Sequence, residues 1–163
     1  MSDTRALRID RDRLWASLMR SAEIGPGVAG GLRRLALSDA DKQVRDQFVT
    51  WARDAGCTVR VDAAGNIFAR MEGQEDLPAV LMGSHLDTQV TGGRFDGILG
   101  VLAGLEVVRT LRDAGVVPKR PIEVVDWTNE EGARFPVAMT GSRVFTGQMT
   151  QDAALALRDA DGV

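Results

Sequence analysis

The chain has 163 residues, 44% hydrophobic and 26% charged, a composition that suits one globular domain needing no disulfides to hold its core. Cys57 is the only cysteine, which excludes a disulfide framework and a four-thiolate zinc site. A net charge of −3, with scattered basic residues, argues against a nucleic-acid partner, and no apolar run approaches the about 18 residues of a membrane span. The polar start Met1-Ser2-Asp3-Thr4-Arg5 does not read as a secretory signal, so a cytoplasmic protein is expected.

Leu14, Trp15, Leu18, Met19 and Ala22 form one apolar helical stripe that stops before Gly25-Pro26-Gly27. Residues 25–37 read as a loop. A second helix starts at Ser38 with Asp41 three residues on, a capping-box-like pair. It buries Val44, Phe48, Trp51 and Ala52 and ends at Gly56. Val59 and Val61, then the turn residues 63–66, then Ile67, Ala69 and Met71 predict a hairpin or two neighbouring strands. The run from Ala79 to Met82 predicts a strand covered on both faces. A helix from about Ile98 to Arg112 follows, with Leu99, Leu102, Leu105, Val108 and Leu111 as its buried stripe. Ile122–Trp127 is the next strand, and the βαβ order predicts that it runs parallel to the strand at 79–83. A last helix is expected around Gln151–Arg158.

In an open α/β sheet, ligands collect beyond the carboxyl ends of the strands. There the chain carries Gly83-Ser84-His85-Leu86-Asp87-Thr88, then Asp96, and after the second strand Thr128-Asn129-Glu130-Glu131-Gly132. The only histidine and four carboxylates therefore share one rim. Imidazole with carboxylates is a ligand set for zinc, manganese, cobalt or nickel. Each residue has a plainer explanation: Asp96 as a helix cap, Glu130-Glu131 as a charged turn, Gly92-Gly93 as a turn. None of these explains why all fall on the same rim. A phosphate loop at 92–97 is disfavoured, because it lacks the required glycine and lysine pattern and an aspartate at the helix mouth would repel a phosphate.

The segments Gly83–Thr88, Thr91–Gly97, Leu99–Glu106 and Trp127–Phe135, with the tail Met139–Gly147, resemble the hydantoinase/carbamoylase family. That family holds N-carbamoyl-L-amino acid hydrolases, β-ureidopropionases and allantoate amidohydrolases. The resemblance implies an α/β fold, the N-terminal part of a zinc-aminopeptidase-like catalytic domain with a mixed sheet flanked by helices. It implies two divalent metal ions. His85 would bind one, Asp96 would bridge both, and Glu131 would bind the second. Glu130 would be the general base and Asp87 would orient His85. The implied reaction cleaves a non-peptide carbon–nitrogen bond of a small carbamoyl or ureido substrate.

The same resemblance implies what lies outside residues 1–163. Family enzymes are more than twice this long, supply two further histidine ligands and add a lid or dimerisation domain that makes them homodimers. The chain is therefore expected to be the N-terminal portion of a catalytic domain, inactive by itself, with substrate-binding residues elsewhere. The competing expectation is a degenerate, non-catalytic binding or assembly module, or half of a split enzyme. Apolar faces around Leu81, Val124 and Leu102 are expected to lack neighbours.

Overall fold

The computed structural model describes residues 6–163. Helix α1 spans Arg11–Ser21, and the Asp10 carboxylate caps it by accepting the N–H groups of Asp12 and Arg13. Its buried face runs through Leu14, Ser17, Leu18 and Ser21. Trp15, expected inside, is 56% exposed and lies against the ring of Phe95. The two serines explain this difference. They are small enough to let α1 lie close against its neighbour, and Ser17 receives a hydrogen bond from Arg109 there, so the buried arc turns away from Trp15.

Helix α2 spans Asp39–Asp54. Ser38 accepts the Asp41 N–H at 3.3 Å, and the Asp41 carboxylate accepts the Leu37 N–H at 2.8 Å, a reciprocal cap displaced by one residue from the expected box. Gly56, at φ 77°, ends it as expected. Val44, Phe48 and Ala52 are buried and Trp51 is half-buried.

Strands β1 (Thr58–Val61) and β2 (Ile67–Met71) form the expected hairpin. Strand β3 (Val80–Ser84), helix α3 (Ile98–Asp113) and strand β4 (Ile122–Asp126) form the expected βαβ unit, with β3 and β4 parallel. The sheet order is β1-β2-β4-β3, and β4 pairs antiparallel with β2, so the sheet is mixed. Ser84 sits opposite Asp126. The two parallel strands thus end level, and the segments that follow them leave the sheet at one rim.

One face of the sheet, through Ile67, Ala69, Met71, Ile122 and Val124, packs against Leu18, Phe48, Leu102 and Leu105 of the three long helices. This is the single core, made by sheet and helix faces that must each hide an apolar side. On the other face Phe68 is buried under Trp127 and Phe145, whose rings lie 5.8 Å and 5.7 Å from it. Phe145 belongs to a short helix α4, Thr140–Phe145, which no apolar period in the sequence announces. Helix α5 covers Gln151–Leu155 and stops three residues short of the expected end.

Two buried-surface expectations are corrected. Strand β3 is not covered on both faces: it lies at the sheet edge, and Val80 and Leu81 are 49% and 38% exposed. Leu81 does lack neighbours, whereas Val124 and Leu102 are fully enclosed. Leu99 is 46% exposed, because the buried face of α3 runs through Ile98, Val101, Leu102, Leu105 and Val108 and leaves Leu99 at its edge. The stretch at 25–37 is a loop with one 3₁₀ turn at Val28–Gly30, tied to the rim by paired main-chain bonds between Leu32 and Gly92. Among the described residues no helix is long and apolar enough to cross a membrane.

Candidate metal centre

His85 follows directly on β3. The Trp127 N–H donates to the Ser84 carbonyl at 2.8 Å, extending the parallel pairing to the point where His85 begins. The imidazole is buried, with Nδ1 2.9 Å from the main-chain oxygen of Asp87. A carbonyl can only accept, so Nδ1 carries the proton and Nε2 turns outward. The ring lies flat on Gly97: a Cβ added there would come within 2.4 Å of Cε1. Gly97 also has φ 66°, so both the backbone and the ring above it require glycine.

The Asp87 carboxylate stands 3.7 Å from Nδ1, beyond hydrogen-bond reach. It is occupied elsewhere. Its two oxygens accept the N–H groups of Glu130 and Glu131, each at 3.2 Å. The main chain of Asp87 thus faces His85, and its side chain holds the glutamate pair. Burial raises the Asp87 pKa above the ordinary value, against the pull of His85 and the two N–H donors.

The loop after β4 is held by two buried amides. Asn66 accepts the Thr128 N–H at 3.0 Å and donates to the Gly141 carbonyl at 3.1 Å. Asn129, in the left-handed region at φ 51°, donates to the carbonyls of Phe135 and Val137 and to Thr140 Oγ1. The Met139 N–H closes the loop on the Glu130 carbonyl at 2.7 Å. Neighbouring residues point in different directions, so the two glutamates part. Glu130 Oε2 lies 3.3 Å from His85 Nε2, and Glu131 Oε2 accepts from Gln89 Nε2 at 2.6 Å.

His85, Glu130 and Glu131 each offer a ligand atom, and these atoms lie within 4.8 Å of one another. Asp96 is not part of that triangle. It is exposed, ahead of α3, yet near enough for its charge to act on Glu130. Gly97, not Asp96, occupies the helix cap, and no side chain caps α3. The Glu130 pKa is raised, first by burial and then by Glu131, Asp87 and Asp96, with His85 opposing.

Beneath the rim lies a buried ionic network. Arg34 is fully buried and donates to the carbonyls of Leu86 and Ser21. Arg45 pairs with Asp126 at 2.9 Å and also bonds the Gly65 carbonyl, joining the hairpin turn to the end of β4. Burial pushes Asp126 up to about 8 and Asp41 to about 6, and draws Arg34 down to about 10. With Asp87, three carboxylates face two guanidiniums, so the network favours one retained proton.

A divalent cation fits these donors. Nε2 and the Glu130 oxygen are two acceptors facing each other at 3.3 Å, which calls for a cation or a proton between them. Glu131 Oε1 is buried with no hydrogen-bond partner, a costly state that a cation would relieve.

Residues 81–161, which carry His85, Glu130 and Glu131, match the peptidase family M20/M25/M40. The chain is 53% identical to an N-carbamoyl-L-amino-acid amidohydrolase of Rhizobium meliloti, covering 95% of this chain and 38% of that protein. It is 62% identical to a hydantoinase/carbamoylase family amidase of Burkholderia ambifaria, with a TM-score of 0.94 over 96% of this chain and 39% of that one. Over nearly its whole length the chain is thus similar to the hydantoinase/carbamoylase family. A ureidoglycolate hydrolase of Oryza sativa subsp. japonica is 39% identical over 85% of this chain and 29% of that protein. The expected fold class, α/β with a mixed sheet and of zinc-aminopeptidase-like type, is the one observed. The chain spans about 38% of the length of the curated carbamoyl amidohydrolase it matches.

Sequence reasoning found the His85, Asp87, Glu130 and Glu131 positions because they follow strand ends. It missed Gln89, Asn66 and Asn129. Asn129 stands inside the rim motif and Gln89 two residues after Asp87, so position alone could have flagged both. Arg34 gave no signal, since its partners are main-chain carbonyls distant in sequence.

Proposed function

We propose that these residues belong to a metal-dependent amidohydrolase that cleaves a non-peptide carbon–nitrogen bond of N-carbamoyl-L-amino acids or related ureido acids. The observation that carries this reading is the His85–Glu130–Glu131 triangle, with its facing acceptors and its unpartnered carboxylate oxygen, in a chain so similar to a carbamoyl amidohydrolase. The similarity to a ureidoglycolate hydrolase supports the wider ureido class, allantoate included. Residues 1–163 are read as a portion of the catalytic domain, with a lid or dimerisation domain and the substrate clamps supplied from outside it.

His85, Asp96 and Glu131 would hold two divalent ions, zinc, manganese, cobalt or nickel. Bound there, the metals would lower the pKa of the attacking water and stabilise charge on the attacked carbonyl oxygen. Glu130 Oε2 takes a proton from the water and returns it to the leaving nitrogen. Water adds to the carbamoyl carbon and one carbon–nitrogen bond breaks, leaving a carbamic acid whose loss of carbon dioxide breaks the second. The products are the amino acid, ammonia and carbon dioxide. Asp87 keeps both glutamates at their stations through their N–H groups. His85 is the only histidine, so further imidazole ligands would come from outside these residues, and the chain by itself would bind metal weakly and turn over little.

Glu130→Gln and Glu131→Gln test this in a protein of the relatives' length that carries these residues. Glu130→Gln should cost roughly 10²–10⁴-fold in rate with metal content kept, the span of a general base. Glu131→Gln should lose metal and activity together. Reversed results would exchange the two roles. No effect of either change on rate or metal would reject the site.

A further inference from the structure

The metal-centre reading leaves Gln89 unused. Its Nε2 donates to Glu131 Oε2 at 2.6 Å and lies 3.5 Å from the main-chain oxygen of the same residue. One amide group thus touches both ends of Glu131 and restricts its side-chain torsions. The other carboxylate oxygen, Oε1, is the buried one without a partner. Gln89 itself is exposed, but its backbone is anchored. Thr88 Oγ1 donates to the Gln89 carbonyl at 2.9 Å and accepts the Arg34 N–H at 2.8 Å, while the Thr88 N–H donates to the Arg34 carbonyl. A surface side chain therefore stands on a main-chain strap fastened to the interior. A neutral amide is suited to this place. It orients the carboxylate without cancelling its charge, as a lysine or arginine would.

We propose that Gln89 is a positioning residue for Glu131: its amide occupies Oε2 and so presents Oε1 to the divalent cation that Glu131 binds. The inference rests on the metal reading of the triangle. Hydrogen-bond partners of metal ligands typically contribute roughly 10–100-fold to affinity.

The test is a Zn²⁺ titration of the whole chain against a colorimetric chelator. Wild type is compared with His85→Ala, Glu131→Gln, Gln89→Met and Gln89→Asn, and the metal-free Tm of each is recorded. Gln89→Met keeps the length and removes the donor; Gln89→Asn keeps the amide but falls short by one methylene. The expected result is measurable Zn²⁺ binding by wild type, weakened by His85→Ala and Glu131→Gln. Both Gln89 variants should then lose roughly 10–100-fold in affinity at unchanged metal-free Tm. Visible spectra of the Co²⁺-loaded chains should differ between wild type and the Gln89 variants, because the carboxylate binds in another orientation. If wild type binds no Zn²⁺, or His85→Ala and Glu131→Gln bind as wild type does, the metal reading fails and takes this proposal with it. If those two variants weaken binding while either Gln89 variant keeps wild-type affinity, the proposal alone is overturned. A loss of affinity that follows a fall in metal-free Tm in both Gln89 variants also overturns it, since the fold and not the carboxylate would then be at fault.

Discussion

The loop from His85 to Gly97 and the loop from Thr128 to Gly141 meet at one rim but are shaped by different means. In the first, backbone does the work. Leu32 pairs with Gly92, Arg34 with Thr88, the Asp87 carbonyl with the imidazole, and a glycine lies flat beneath the ring. In the second, side-chain amides substitute for missing strand partners: Asn66 and Asn129 between them bind five groups of the loop. A backbone-shaped loop is broken by adding atoms, and an amide-shaped loop by removing donors. Asp87 is the hinge between the two, since its carbonyl serves the first loop and its carboxylate the second.

The comparison breaks most completely at Asn129. Asn129→Leu removes three buried hydrogen bonds, each worth about 0.5–1.5 kcal/mol, although the Phe135 and Val137 carbonyls keep second donors in the Val137 N–H and the Thr140 hydroxyl. Some acceptors will find water, so a loss of about 3 kcal/mol is expected, read as the shift of a urea unfolding midpoint. A loss below about 1 kcal/mol would mean that the loop is not amide-shaped.

Gly97→Ala attacks the other loop. A methyl group would sit inside the imidazole, and overpacking of this kind costs about 1–3 kcal/mol, with about 1 more for the left-handed backbone. The stability loss should be about 2 kcal/mol, and Zn²⁺ affinity should fall further than in any variant of the second loop that leaves Glu131 intact. Unchanged affinity would show that the ring position does not matter to the site.

Asp87→Asn probes the hinge. The main-chain carbonyl stays with His85, but one carboxylate oxygen becomes an N–H₂ that faces a backbone N–H of the glutamate pair. A loss of about 1–2 kcal/mol follows from one charged acceptor replaced by a donor. Nuclear magnetic resonance should show the Glu130 and Glu131 amides moving while the His85 ring resonances hold. Movement of the ring resonances instead would give the carboxylate the role that resemblance assigned it.

A pH dependence sharpens the comparison through the network that supports both loops. Asp126 and Asp41 have pKa values raised to about 8 and about 6, above 3.8 for an ordinary aspartate. The folded state then holds protons that the unfolded chain releases. Its extra stability is complete below about pH 3.8 and is lost as pH rises through about 6 and about 8. Tm should therefore decline from pH 5 to pH 8, and Asp126→Asn, which cannot ionise, should flatten the decline. An unchanged slope in that variant would place the protons elsewhere.

The sequence by itself determined the elements and the rim. Period, caps and glycines marked α2, the hairpin, α3 and β4, and strand order then placed His85, Asp87, Glu130 and Glu131 at one end of the sheet, because parallel strands joined by a helix end on the same side. These are local or topological matters, written in neighbouring residues. Tertiary structure alone decided which faces close and which atoms meet. Trp15 and Leu99 carry the same period as their buried neighbours, and only the seating of α1 on its serines and of α3 on Ile98, Val101 and Leu105 leaves them at the open edges of those faces. Asp87 and Gln89 were visible as residues, but the choice between ring, backbone and carboxylate as partner turns on differences of under 1 Å, such as 2.9 Å against 3.7 Å. Hydrogen bonds weaken steeply over that range. Such differences arise from the packing of segments more than 40 residues apart, like Asp87 and the glutamate pair. No local pattern encodes them.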